Sequence, residues 1–173
     1  MLTLSLLRHA KSDWSMPGMD DFDRPLAARG LDAAPRMGAF MARVGLRPRL
    51  ILCSAAVRTR QTLDLVLPYL GDAPEISIER GLYLASSSAM IARLRQVPAG
   101  VPHVMMIGHD PGMHETAQAL AGRGDPQLLA ALGRKFPTAG LAVYAFDVPA
   151  WDQVGPKGGH LLRFVTPRSL EDA

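Results

Sequence analysis

The chain has 173 residues, of which 48% are hydrophobic and 20% charged, with a single cysteine. That balance predicts one globular domain over residues 1–173, long enough to bury a core, and excludes a disordered or fibrous chain. With 19 Lys and Arg against 16 Asp and Glu, the net charge of +3 is too small to indicate nucleic acid as a partner. Cys53 alone excludes an internal disulfide framework and any multi-cysteine metal centre.

The apolar start of the chain stops at Arg8 with no basic stretch before it, which does not match a signal peptide. No later run reaches the roughly 18 apolar residues of a membrane span. The expected location is the cytoplasm, with no membrane partner.

Residues 2–7 form a short apolar run that predicts the first strand. Residues 12–24, with Pro17, Gly18, Asp13, Asp20, Asp21 and Asp23, predict a loop. Over 27–44, Leu31, Ala34, Met37, Phe40, Met41 and Val44 recur at three- and four-residue steps, the stripe of an amphipathic helix. Pro35 marks either a kink or the helix's first turn, and Gly45 suits its end. Residues 50–53 predict the second strand and 55–69 a helix stopped by Gly71. Ile76 and Ile78 alternate with Ser77 and Glu79 as a short strand, and a helix over 87–94 precedes Pro98. Residues 104–107 predict another buried strand, 113–120 and 125–132 two helices, and 141–146 and 160–165 two closing strands, expected as an antiparallel edge pair. Alternating strands and helices, with three strands reading as continuous apolar runs, predict an α/β fold. Its three layers are a mostly parallel central sheet of about six strands flanked by helices.

In such a sheet reactive groups gather beyond the carboxyl ends of the strands. There the first strand delivers Arg8 and His9, the second Ser54 with Arg58 one turn into the next helix, and the run 104–107 delivers His109. Two arginines and two histidines at one edge suit phosphoryl chemistry. Guanidinium groups match phosphate oxygens bidentately and stay charged, and helix N-termini add backbone donors. A neutral imidazole is a competent nucleophile toward phosphorus, and a second, if protonated, stabilises charge on the transferred group. No metal or other cofactor is required. Rival readings are weaker. Cys53 and Arg58 give Cys-x4-Arg, one residue short of the loop of cysteine phosphatases and without its glycines, so Cys53 reads as a small buried residue. His109, Asp110 and His114 do not make a helical zinc pair, because the histidines are five apart and Pro111 lies between them. A third alternative, a non-catalytic phosphate-binding regulatory module, keeps the same pocket without turnover.

These residues also carry a resemblance. The opening run Leu4-Ser5-Leu6-Leu7-Arg8-His9-Ala10-Lys11-Ser12 resembles the first signature of the histidine phosphatase superfamily, the phosphoglycerate-mutase-like group. Its Arg-His-Ala-Lys-Ser variant is similar to that of the small SixA-like phosphohistidine phosphatases. Asp23-Arg24-Pro25-Leu26 with Arg29-Gly30, the segment Ser54 to Thr62, and Gly108-His109-Asp110-Pro111-Gly112 resemble the following motifs in the same order. The resemblance implies a phosphoglycerate-mutase-like fold and a metal-independent phosphatase in which His9 becomes phosphorylated. It places Arg8, Arg58 and His109 around the phosphate and Ser12 as a polar contact. For the proton donor it offers Glu79, which lies where many members carry a glutamate, or Asp110, which matches the His-Asp pair of the phytase-like branch. It also allows no dedicated acid, as in many SixA-like proteins. The expected substrate is a phosphorylated protein side chain, phosphohistidine first, with a small phosphomonoester as the alternative. The segments 14–22 and 82–88 are expected to form the rim. Lys11 faces either the mouth or solvent, and Arg24 either lines the entrance or, the preferred reading, pairs with a neighbouring aspartate. Gln61 and Thr62 are expected to serve packing.

Overall fold

The computed structural model describes residues 1–171. In chain order it runs β1 (Leu2–Arg8), α1 (Ala28–Arg43), β2 (Leu50–Ser54), α2 (Val57–Val66), β3 (Glu75–Glu79), α3 (Ser87–Arg95) and β4 (His103–Gly108). There follow α4 (Gly112–Leu120), β5 (Ala121–Gly124), α5 (Pro126–Arg134), β6 (Leu141–Phe146), β7 (Gly159–Val165) and α6 (Pro167–Glu171). The strands form one seven-stranded sheet in the order β3-β2-β4-β1-β6-β7-β5. Only β6 runs against the others, pairing antiparallel with both β1 and β7.

The continuous apolar runs become the central strands because both faces are covered. In β1, Leu4 and Leu6 join Leu52, Val104 and Met106 under α4 on one face. Leu7 joins Ile51, Cys53, Met105 and Ile107 under α1 on the other. Successive side chains of a strand point to opposite faces, so two cores grow from one run.

Three expectations differ. The sheet has seven strands rather than about six, because Ala121-Gly122-Arg123-Gly124 pairs in parallel with β7. This segment lacks apolar alternation and is a strand through its neighbour alone. A side chain at Gly122 would sit 1.8 Å from the Lys157 carbonyl oxygen. The closing pair is antiparallel but interior, with β6 against β1 and β5 covering β7. Pro35 lies inside α1 rather than in its first turn. Helix α1 continues through Pro35, whose ring costs about 3 kcal/mol in a helix interior, and its buried stripe of Ala34, Met37, Phe40 and Met41 offsets that.

Register positions the site. Arg8 pairs with Gly108 across β1 and β4, so His9 and His109 leave neighbouring strands side by side. The His9 backbone N–H donates to the Gly108 carbonyl at 3.1 Å. Because β6 is antiparallel to β1, the segment entering it reaches the same edge. Arg8 N–H donates to the Gly140 carbonyl and Ala139 N–H to the His9 carbonyl, each at 3.0 Å.

Candidate active site

At this edge Arg8, His9, Ser12, Arg58, His109 and Asp110 line one cavity of 290 Å³. The sheet brings together all the predicted positively charged and imidazole groups. Glu79 is absent from the cavity.

His9 is buried, and its Nδ1 lies 2.7 Å from the Ala10 carbonyl oxygen. A carbonyl only accepts, so Nδ1 carries the hydrogen and Nε2 keeps its lone pair. Burial, assisted by the charges of His109, Arg58 and Arg8, pushes the His9 pKa down to about 3 against the Ala10 hydrogen bond, so the ring is neutral at neutral pH. His109 lies 5.3 Å from it, ring centre to ring centre. Its Nε2 sits 2.7 Å from Ser54 Oγ. Burial and the Arg58 charge push His109 to about 3 as well, so the second ring, whose charge role requires protonation, is neutral in this structure.

Arg8 Nη1 donates to the Phe136 carbonyl at 2.8 Å and lies 3.5 Å from Asp110 Oδ2. Arg58 Nη1 donates to the Asp21 carbonyl at 2.7 Å and Nη2 to Asp21 Oδ2 at 3.0 Å. Among the described residues, three buried side-chain nitrogens have no partner: Arg8 Nε, Arg58 Nε and His109 Nδ1. Buried donors are paired in nearly all folded proteins, so three orphans in one cluster mark a place built for an acceptor.

Ser12 Oγ accepts from Arg24 Nη1 at 2.8 Å, and its backbone bridges to Leu26. Arg24 sits at the mouth and is also ion-paired. It lines the cavity and pairs with Asp21 at 3.0 Å, while its guanidinium stacks 3.4 Å from the centre of the exposed Trp14 ring. Thr62 and Gln61 are structural. Thr62 Oγ1 accepts from Ala10 N–H at 3.0 Å, and Gln61 Oε1 accepts from Leu26 N–H at 2.7 Å.

Glu79 lies elsewhere for a topological reason. It ends β3, the outer strand, with β2 and β4 between it and β1. Arg93 of α3 holds both its oxygens at 2.8 Å, and Ser77 Oγ donates to it at 2.7 Å. The Arg93 hydrogen bonds keep its carboxyl below the usual range. Asp110 is in the cavity, and burial raises its carboxyl above that range against the Arg8 charge. Cys53 is buried, its thiol pushed up to about 12 by that burial, and it is not in the cavity.

The two segments expected at the rim each send one residue to the site, Asp21 and Tyr83, with roles the sequence did not single out. Asp21 accepts from Arg58, Arg24 and the Tyr83 hydroxyl. Although burial opposes it, these bonds hold its carboxyl at about 2. Tyr83 also meets the His109 ring edge-on at 5.4 Å. Asp21 is one of four aspartates in an aperiodic loop, and no local signal separates it from the others. Among the described residues no three His, Cys, Asp or Glu are grouped to hold a metal ion, and no helix is long and apolar enough to cross a membrane.

Comparison with known proteins agrees with this geometry. The model of the histidine phosphatase superfamily (branch 1) matches residues 4–83. An uncharacterized Mycobacterium tuberculosis protein is 35% identical over 165 residues, covering 94% of this chain and 100% of its own. The crystal structure of a candidate phosphohistidine phosphatase SixA from Agrobacterium tumefaciens superposes with a TM-score of 0.81 and 34% identity, covering 96% of this chain and 98% of that one. The protein histidine phosphatase SixA solved with tungstate shares the fold, with a TM-score of 0.78 at 20% identity over 98% of this chain and 99% of that one.

Proposed function

We propose, from the premise that this chain belongs to the histidine phosphatase superfamily and to its SixA-like branch, that its substrate is phosphohistidine on a protein and that it turns over without a metal ion. The chain is a phosphatase, a hydrolase of phosphorylated groups. The observation that carries the finer reading is a neutral His9, with Nδ1 committed to the Ala10 carbonyl, beside three unpartnered nitrogens on Arg8, Arg58 and His109.

In this reading the Nε2 lone pair of His9 attacks phosphorus. A P–N bond to His9 forms as the bond to the leaving imidazole nitrogen breaks, and that nitrogen takes up a proton from solvent water. Arg8 and Arg58 bind the equatorial oxygens, and each charge-assisted contact stabilises by roughly 1.5–3 kcal/mol. With Ser54 Oγ donating to His109 Nε2, His109 Nδ1–H becomes a third donor, and Ser12 a polar contact at the rim. Water then attacks phosphorus, the bond to Nε2 breaks, and inorganic phosphate leaves with His9 neutral again. A positively charged pocket neutralises the dianion, which is the work a metal would otherwise do. We place the protein in the cytoplasm, where a lone buried thiol stays reduced.

Asp110 favours one second reading, a small-molecule phosphomonoesterase. An alkoxide leaving group needs a proton, and a buried carboxyl with a raised pKa supplies one. A panel of phosphohistidine peptide, phosphotyrosine, aryl phosphate and sugar phosphate decides between them. We expect the highest kcat/KM for the phosphohistidine peptide, unchanged by chelator and abolished by His9→Ala, with rapid quench trapping phosphate on His9. Preference for a sugar phosphate, loss of activity in chelator, or phosphate trapped on serine or cysteine would overturn the reading.

A further inference from the structure

Beside the 290 Å³ pocket opens a larger groove of 540 Å³. Arg29 of α1, Arg134 at the end of α5, Lys135 after it and Arg168 of α6 line the groove, and among the described residues no Asp or Glu does. All four are exposed, and none forms an ion pair among the described residues. Four positive charges exceed the +3 of the entire chain, so the rest of the molecule is net negative. Asp32 and Glu171 line an adjoining hollow beside Arg29 and Arg168, while Arg134 and Lys135 lie in the groove itself, where like charges without ion-pair partners repel one another.

The groove is joined rigidly to the site. Thr138 lines both cavities. The segment carrying it is tied to the catalytic strand by the Arg8 side chain on the Phe136 carbonyl at 2.8 Å and by Ala139 N–H on the His9 carbonyl at 3.0 Å. Lys11 lines the pocket and also a 350 Å³ hollow that shares Arg29 and Arg168 with the groove. The loop 12–24, with its four aspartates, borders the pocket and contributes nothing to the groove.

We propose that this groove docks an acidic segment of the phosphorylated protein, lying to one side of its phosphohistidine. The inference rests on the protein-phosphohistidine reading above. A peptide fits better than a nucleic acid. A phosphodiester chain passing on through the pocket would meet the acidic loop. The groove's remaining wall includes Ala131, Pro137, Phe164 and Pro167, which suit side-chain stems rather than stacked bases. The one aromatic, Phe164, is half-buried against Phe136 at 5.4 Å. The pocket itself needs only the phosphoryl group, so the groove adds affinity and choice of partner without touching the chemistry.

The test uses two phosphohistidine peptides, one with an Asp- and Glu-rich flank and one with that flank replaced by Ala and Ser, together with phosphoramidate. The variant is Arg134→Gln/Lys135→Gln, two exposed side chains without ion-pair partners among the described residues. We expect kcat/KM for the acidic peptide to fall about three- to tenfold. The neutral peptide and phosphoramidate should be unchanged, and the wild-type preference should vanish in high salt. Equal losses on all three substrates, or no loss on the acidic peptide, would overturn the proposal. Binding of the unphosphorylated acidic peptide, read by fluorescence anisotropy, decides the groove even if phosphohistidine is not hydrolysed. Weaker binding to the variant supports it. Equal binding, or tighter binding of a short DNA duplex, overturns it.

Discussion

Lowering the pH from 7 to 5 should destabilise this protein through three histidines. His9, His109 and His103 are 6%, 3% and 8% exposed. Burial holds their pKa values at about 3, about 3 and about 4. In the unfolded chain each titrates near 6.5, so between these limits the unfolded state binds protons that the native state refuses. Stability is complete above about 6.5 and falls as the pH falls. At pH 5 the unfolded rings lie about 1.5 units below their midpoint, which costs roughly 2 kcal/mol each, and about 6 kcal/mol for three acting independently. That is a large share of the 5–15 kcal/mol of a typical domain. Asp21, held at about 2, loses its contribution only below the ordinary carboxylate range, whereas Asp110, raised by burial, takes up its proton first in the native state as the pH falls and offsets part of the histidine effect. Urea unfolding at pH 7, 6 and 5 should show the midpoint dropping by about 3 M. His103→Gln, whose ring contacts only Ser5 Oγ among side chains, should remove about a third of the drop without touching the pocket. Constant stability across this range, or NMR titrations of the His9 and His109 rings with midpoints near 6.5, would refute the reasoning.

Three further outcomes are expected. Arg58→Ala should raise the inhibition constant of inorganic phosphate roughly 10- to 100-fold, the loss of one charge-assisted contact, and an unchanged constant would remove Arg58 from the phosphate site. Glu79→Gln should leave sugar phosphate turnover unchanged, while Asp110→Asn lowers it about 100-fold and aryl phosphate and phosphoramidate turnover less, since the alkoxide leaving group is the one that needs the acid; the reverse pattern would restore Glu79. Gly30→Ala would place a Cβ 2.2 Å from the Lys11 carbonyl oxygen, a backbone atom that cannot swing aside, and should cost about 3 kcal/mol in urea unfolding.

The sequence alone determined which groups local patterns bring to one edge of the sheet. Apolar runs doubly buried in the sheet identify β1, β2 and β4, and the residues that follow each run sit at its carboxyl end wherever the sheet places it. Arg8, His9, Arg58 and His109 were therefore legible together. Only the tertiary structure decided what depends on strand order and on loops. Glu79 was offered as a proton donor by the resemblance, because it follows the third strand, but β3 is the outermost, and distance along the sheet cannot be read from one chain's pattern. Asp21 and Tyr83 reach Arg58 through a loop and a turn with no periodicity. The neutrality of both pocket histidines is also a tertiary result. Their pKa values are set by burial and by neighbouring charges brought from three different strand ends, and no single segment of the chain contains that information.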